Sequence, residues 1–300
     1  LASCQPESQP AANTSPNLPA TEPTSLSAQV FRHTISEVPV SIDPLRTSSA
    51  NAGAVVSNVY DTLYRYALLA EPYQIVPNLA DGMPVASDAG KTIRVNIKRG
   101  VFFHDSPAFS GGKGRELQSN DVIYSFKRHF DPALNSEMAW LWSDLKGVEA
   151  WVDAGANYQD ALEGVKAAGP YTIEFNFKQA PAIFLSSLAH PSSAVVPIEA
   201  VQYFKGNLNR NAVGSGPFTL SRFDSSSALL TRNPGFRKEP IDLLAEGYVA
   251  AKHAEYDLDK LAGKSPPLID RIELKFITEA HTGALAFERG EVDSGSATAA

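Results

Sequence analysis

Apolar positions along the chain change their period several times, and each change marks an element. Gln29–Ile35 (QVFRHTI) is short and rich in β-branched and aromatic residues, which predicts a first strand. Ser36–Leu45 carries two prolines and is expected to be irregular. In Asn51–Tyr66, Val55, Val59, Leu63 and Tyr66 recur at helical spacing, which predicts one continuous helix. Glu71–Pro84 is a connector punctuated by Pro and Gly. The period then becomes two. Lys91–Lys98 sets Ile93, Val95 and Ile97 against polar neighbours, and Tyr171–Lys178 alternates the same way, so both are half-buried strands. Between them, Ser119 is the expected N-cap of a helix with Asp121 in its first turn and Asp131-Pro132 as its stop. Pro181 opens a short helix ending near Ala189. Pro217–Phe223 and Ala228–Thr231 are expected to pair as strands. Pro240–Pro267 is a long, partly charged insertion before a strand at Ile269–Ile277. Glu279–Arg289 reads as an amphipathic helix with Ala280, Ala284 and Phe287 on its apolar face, and Gly290-Glu291-Val292-Asp293 as the start of another strand. Strands and helices mix without a regular βαβ rhythm, which predicts an α/β fold with a mixed sheet.

At 300 residues the chain has room for about two domains. Its 26 basic and 33 acidic residues leave a net charge of −7, which argues against a nucleic-acid partner. Apolar runs are too short for a membrane-spanning helix. The single cysteine excludes an intrachain disulfide and a thiolate zinc site. That cysteine stands in Leu1-Ala2-Ser3-Cys4, which resembles a bacterial lipobox and makes Cys4 the expected lipidation site. Gln5–Ser27 is rich in Pro, Ser, Thr, Gln and Asn and lacks Lys and Arg. It is expected to be a disordered tether. The chain is read as a fragment of a longer protein, cut at both ends.

No catalytic machinery is legible. Gly111-Gly112-Lys113-Gly114 lacks the Ser or Thr of a phosphate loop and reads as a hairpin tip. Gly214-Ser215-Gly216 lacks the spacing of a nucleophile elbow and reads as a tight turn. The six histidines form no close pair, and Asp257 and Asp259 lie in a charged segment. No catalytic residue, metal or cofactor is expected. Trp140, Trp142 and Trp151 cluster with Met138 and Leu141, either as packing or as an aromatic wall for a ligand.

Several segments resemble, in order, the family-5 extracellular solute-binding proteins of ABC importers, the oligopeptide and dipeptide binders. They are Ser36-Glu37-Val38 with Ile42-Asp43-Pro44; Val59-Tyr60-Asp61-Thr62-Leu63; and Pro77-Asn78-Leu79-Ala80. Next come Ile97-Lys98-Arg99-Gly100-Val101 with Phe103-His104-Asp105, and Asn120-Asp121-Val122-Ile123-Tyr124-Ser125. Last come Gly214-Ser215-Gly216-Pro217-Phe218 and Arg289-Gly290-Glu291-Val292-Asp293. Departures are Ser106-Pro107, the enlarged Gly111–Arg115 tip and the Pro240–Pro267 insertion.

The resemblance implies a periplasmic-binding-protein-like, two-lobed α/β fold with an extra subdomain, its second lobe largely missing from this fragment. Residues 28–49 and 198–300 would form an incomplete first lobe, and residues 50–197 the inserted subdomain. It implies a non-enzymatic, monomeric lipoprotein of the periplasm or cell surface. Such a protein captures a short peptide and delivers it to the membrane subunits of an ABC importer. Glu37, Val38 and Pro39 would line the cleft, His190 would lie near the ligand, and Trp140 falls in the stretch that supplies an aromatic contact. Glu37 as an exposed loop acid and His190 as a helix-end residue stay open beside these roles. So do another cargo (a sugar oligomer, haem or a nickel chelate), a secreted hydrolase, and a structural envelope lipoprotein.

Overall fold

The computed structural model describes residues 28–295 and gathers two cores around two four-stranded sheets. In chain order the elements are β1 (Val30–Ile35), α1 (Ala50–Val59), β2 (Tyr64–Tyr66), β3 (Ile75–Pro77), β4 (Val85–Ser87) and β5 (Thr92–Asn96). Then come α2 (Ser119–Phe130), α3 (Val148–Asp153), β6 (Val165–Gly169), β7 (Thr172–Asn176), α4 (Phe184–Ser187) and α5 (Ile198–Tyr203). The chain continues through β8 (Phe218–Phe223), β9 (Ser227–Arg232), α6 (Ala250–His253), β10 (Arg271–Phe276) and α7 (Ala280–Glu288).

The first sheet is mixed, as the irregular rhythm predicts. Its order is β1-β10-β9-β8, with β1 parallel to β10 and the other pairs antiparallel. Helix α1 covers part of one face, where Val55, Val56 and Val59 pack with Phe218, Leu230 and Leu274. The second sheet, β4-β5-β7-β6, is antiparallel throughout. Val95, Ile173 and Phe175 point inward, the set that the period-two pattern marks. Phe126 of α2 packs on Phe175 and Trp142, with ring centroids 5.1 and 4.8 Å apart.

Tertiary contacts override the local pattern in several places. The helix expected over 51–66 stops at Val59, and Tyr60 is already extended at φ −111°, ψ 158°. Asp61 is drawn into a buried ion pair with Arg237, and Tyr64–Tyr66 pairs with Ile75–Pro77 inside the expected connector. Leu63 is buried as predicted, but Tyr66 is exposed. Ser119 is the first helical residue of α2, and Gln118 is the N-cap, its N–H donating to the Asp121 carboxylate at 2.9 Å. The Ser119 hydroxyl donates instead to the Gly169 carbonyl at 2.7 Å. Helix α7 turns Gly283 and Ala286 inward and leaves Phe287 exposed, because Gly283 sits beside Thr34 of β1. The residues after α7 run along β1, with Thr34 N–H donating to Ser294 O at 3.1 Å and Val292 buried.

Core packing runs across residue 50, with Ile42 in one cluster with Val55 and Val56. Helix α1, with Ala194 and Val196, packs in the core of the β1-β10-β9-β8 sheet rather than with the rest of 50–197. The insertion after Pro240 is tied down through Glu246, which pairs with Arg65 and accepts from the Leu68 N–H at 3.0 Å.

Candidate functional site

A cleft of about 710 Å³ opens beside α1. Its floor follows from strand register. Parallel pairing sets Phe31 beside Ile272 and His33 beside Leu274, so all four project from the same face. Helix α1 stands over the β8–β9 side of that face and leaves the β1–β10 half open. Ser49, Ala50, Gly53 and Ala54 form the wall, and small side chains there keep the cleft wide. His190 and Pro191 close one end.

The loop leaving β1 is stitched to the start of α1. The Ser49 hydroxyl donates to the Glu37 carboxylate and accepts from the Ala52 N–H at 3.1 Å, so Ser49 is the helix N-cap. Asn51 Nδ2 donates to Ser36 Oγ at 3.3 Å. Pro39 is buried, while Val38 is 38% exposed. Against the first turns of α1, His190 Nδ1 accepts from the Ser192 N–H at 3.1 Å and caps the turn Pro191–Ser193. Partial burial lowers the His190 pKa. Of the expected site residues His190 lines this cleft, whereas Glu37, Val38 and Pro39 are not among its lining residues; Glu37 only bonds to Ser49, which is.

Trp140 is not brought to this cleft. It lies on the turn Ala139–Trp142 and is 61% exposed, whereas Trp142 and Trp151 are buried in the core of the second sheet. Packing accounts for the latter two, and Trp140 alone of the three presents its ring to solvent. Cys4 lies outside the described residues. The sequence did not single out Ser49, Phe31 or His33. A Ser just ahead of α1 was a legible cap signal, but the two floor residues depend on the distant partner β10.

The segments carrying the family resemblance converge elsewhere, at a buried polar joint between the two cores. Asp61 accepts from Arg237 Nη1 at 2.7 Å, Ser215 Oγ at 2.9 Å and Asn78 Nδ2 at 3.1 Å. Burial opposes ionisation of Asp61, but the Arg237 charge and these bonds outweigh it and hold the carboxyl below its usual range. His104 Nδ1 accepts from the Gly214 N–H at 3.4 Å, so Nε2 carries the proton that it donates to Gly216 O at 2.9 Å. Burial lowers the His104 pKa, keeping the ring neutral. Ser215 is buried with its O–H committed to a carboxylate, which is the opposite of a nucleophile's setting. Among the described residues no group of three or more His, Cys, Asp and Glu could hold a metal ion, and no helix is long and apolar enough to cross a membrane.

Comparison with known proteins agrees with this architecture. Residues 74–300 match the family model described as bacterial extracellular solute-binding proteins, family 5 Middle. The peptide transport periplasmic protein SapA of Salmonella typhimurium is 29% identical over 209 residues, covering 67% of this chain and 36% of that protein. Di/tripeptide-binding protein 4 of Pseudomonas aeruginosa is 28% identical over 206 residues, covering 66% of this chain and 37% of that protein. The chain thus spans little more than a third of the curated relatives it matches. Among solved structures, the pheromone receptor PrgZ matches with a TM-score of 0.68 at 21% identity, covering 89% of this chain and 46% of that one. OppA of Listeria monocytogenes, bound to peptide, gives 0.68 at 19% identity over 89% of this chain and 46% of that one. The fold is that of the OppA-type periplasmic binding proteins, present here in part. The chain belongs to the bacterial extracellular solute-binding proteins of family 5.

Proposed function

We propose that the full protein captures a short peptide outside the cytoplasmic membrane and passes it to an ABC importer, making and breaking no bond. The observation that carries this reading is the family match over residues 74–300 together with relatives named for peptide transport and for di- and tripeptides. Affinity comes from enclosure between lobes that close on a hinge. Bonds to the ligand backbone tolerate many sequences, because each contributes only about 0.5–1.5 kcal/mol and none depends on side-chain identity. Glu37, Val38 and Pro39 with His190 border the ligand on this side, and Trp140 offers an exposed ring. Residues 28–49 and 198–300, joined by α1, act as the first lobe, and most of 50–197 as its subdomain. The protein works as a monomer, held at the membrane by lipid on Cys4; Cys4→Ala protein is expected in the soluble fraction.

Non-peptide cargo is the second reading, since MoaA of the same fold was solved in complex with mannopinic acid (TM-score 0.67, 18% identity). The deciding experiment is calorimetric titration of the full-length protein with a mixed pool of short peptides and, separately, with mannopinic acid. Peptide binding in the micromolar range is expected. Binding of the opine acid without any peptide signal would replace the peptide reading.

A further inference from the structure

We infer that Glu37 is a positioning residue, acting on the ligand through the N-cap of α1 rather than as a charge partner for the peptide's amino terminus. The inference rests on the peptide-binding reading above for its ligand and on the Ser49 contact for its mechanism.

A serine hydroxyl has one proton to donate and lone pairs to accept with. The Ala52 N–H occupies a lone pair of Ser49 Oγ at 3.1 Å, and the single proton goes to the Glu37 carboxylate. One hydroxyl therefore couples the helix start to the loop. The Glu37 carboxylate thereby sits beside the first turn of a ten-residue helix, held there by a charge-assisted bond. A second stitch one residue back, Asn51 Nδ2 to Ser36 Oγ at 3.3 Å, holds the same loop to the same turn. Between this anchor and the buried Pro39, Val38 is the residue left projecting. Glu37 has no Lys or Arg ion-pair partner among the described residues. The loop is thus fixed at Glu37 and at Pro39, with Val38 partly exposed between them.

The same turn also seats the other side of the site. A Cβ at Gly53 would meet Pro191 Cγ at 3.6 Å, so the first turns of α1 lie against the His190-Pro191 turn. Releasing Glu37 from Ser49 frees the loop from the body that carries His190.

The test uses full-length protein and three variants, Glu37→Gln, Glu37→Ala and Ser49→Ala. The amide oxygen of Glu37→Gln still accepts the Ser49 proton, whereas the other two variants cannot make the bond. In hydrogen–deuterium exchange without ligand, Glu37→Ala and Ser49→Ala should exchange residues 36–40 at least about fivefold faster, the equivalent of one lost hydrogen bond, and Glu37→Gln should stay near wild type. Titration with one short peptide and its N-acetylated form should show both alanine variants weakened about five- to tenfold for both ligands, with Glu37→Gln rescued. Unchanged exchange in both alanine variants overturns the inference, whatever the protein binds. So does a loss in Glu37→Gln as large as in Glu37→Ala that vanishes with the acetylated peptide, which would make Glu37 the amino-terminus receiver. Absence of any peptide binding by wild type rejects the peptide reading alone, because the exchange comparison stands without a ligand.

Discussion

Asp61 and Arg237 stand 176 residues apart in the chain, yet Oδ2 of one lies 2.7 Å from Nη1 of the other, with Asp61 buried and the Arg237 side chain only 10% exposed. Asn78 and Ser215 fill the remaining acceptor sites of the carboxylate. This ion pair ends α1, receives the turn before β8 and fixes one core on the other. Removing one partner leaves a buried charge, so Arg237→Ala should destabilise the protein by about 3–5 kcal/mol. Replacing both, as Asp61→Leu with Arg237→Met, should cost less than Arg237→Ala alone. Urea denaturation of the singles and the double checks this, and strictly additive losses would contradict it.

The turn beside that pair constrains its glycines by contact rather than by dihedral angle. A Cβ at Gly214 would lie 2.1 Å from the Val59 carbonyl oxygen, and one at Gly216 would lie 2.7 Å from the same residue's carbonyl carbon. Backbone cannot yield as a side chain can, so Gly214→Ala is expected to cost about 3 kcal/mol. Gly111, at φ +67° with nothing within 4 Å, has the reverse problem. Its Ala variant meets only left-handed backbone strain, about 1 kcal/mol. Thermal melts of the two variants should separate clearly.

What the sequence made legible followed from burial on one side. β5 and β7 were readable because each has one wet and one dry face, and period two records that directly. Spacing over 51–66 predicts too long a helix because Leu63 is buried in both arrangements, so the pattern does not reveal where helix gives way to an extended segment. The pattern in α7 predicts Phe287 inward because side-chain apolarity says nothing about how closely a helix sits on β1, where Gly283 and Ala286 are the buried residues. At the candidate site, Glu37 and His190 were reachable only through the family resemblance, since polar residues in loops leave no periodic trace. The cleft floor was not reachable at all, because Phe31 and His33 acquire their neighbours only when β1 pairs with β10. Most of the resemblance segments proved to be scaffold: Asp61, Asn78, His104 and Ser215 hold the joint between cores rather than line the cleft.

Acid sensitivity should trace to His129. The ring is buried, with Nε2 donating to Ser192 O at 3.0 Å and Nδ1 bonded to Ser136 Oγ at 2.8 Å. Burial, reinforced by the nearby Arg128 charge, pushes its pKa down to about 4. An unfolded chain takes up this proton near pH 6.5, and the native state does not until about pH 4. The native state is therefore favoured above pH 6.5, and this support drains away as pH falls from about 6.5 to 4, by at most about 3 kcal/mol. His104 contributes in the same direction, and carboxylates such as Asp61, with lowered native values, add a further loss at lower pH. His129→Gln keeps an uncharged polar group and should show a shallower fall between pH 6.5 and 4 than wild type. Parallel urea titrations across that window make the comparison, and coincident slopes would remove His129 from the account.

Trp140 and Trp142 offer the cleanest separation of binding from packing, being two residues apart on one turn with opposite surroundings. Trp142 is buried against Phe126 and Phe184, with ring centroids 4.8 and 6.3 Å away. Trp142→Ala should therefore destabilise by about 3–5 kcal/mol, the range for a large aromatic removed from a core. Trp140, 61% exposed, should change stability by less than about 0.5 kcal/mol on truncation. Trp140→Ala in the full-length protein should weaken peptide binding by more than about 1 kcal/mol, a factor of at least five. His190→Ala should show a similar loss of affinity together with about 1 kcal/mol of stability, because the Ser192 N–H then loses its cap acceptor. Calorimetric titration beside thermal melts separates the two quantities for each variant. Unchanged affinity in Trp140→Ala would assign that ring to bare surface. Unchanged affinity in His190→Ala would reduce His190 to the cap of its own turn, and would move the ligand away from the cleft beside α1.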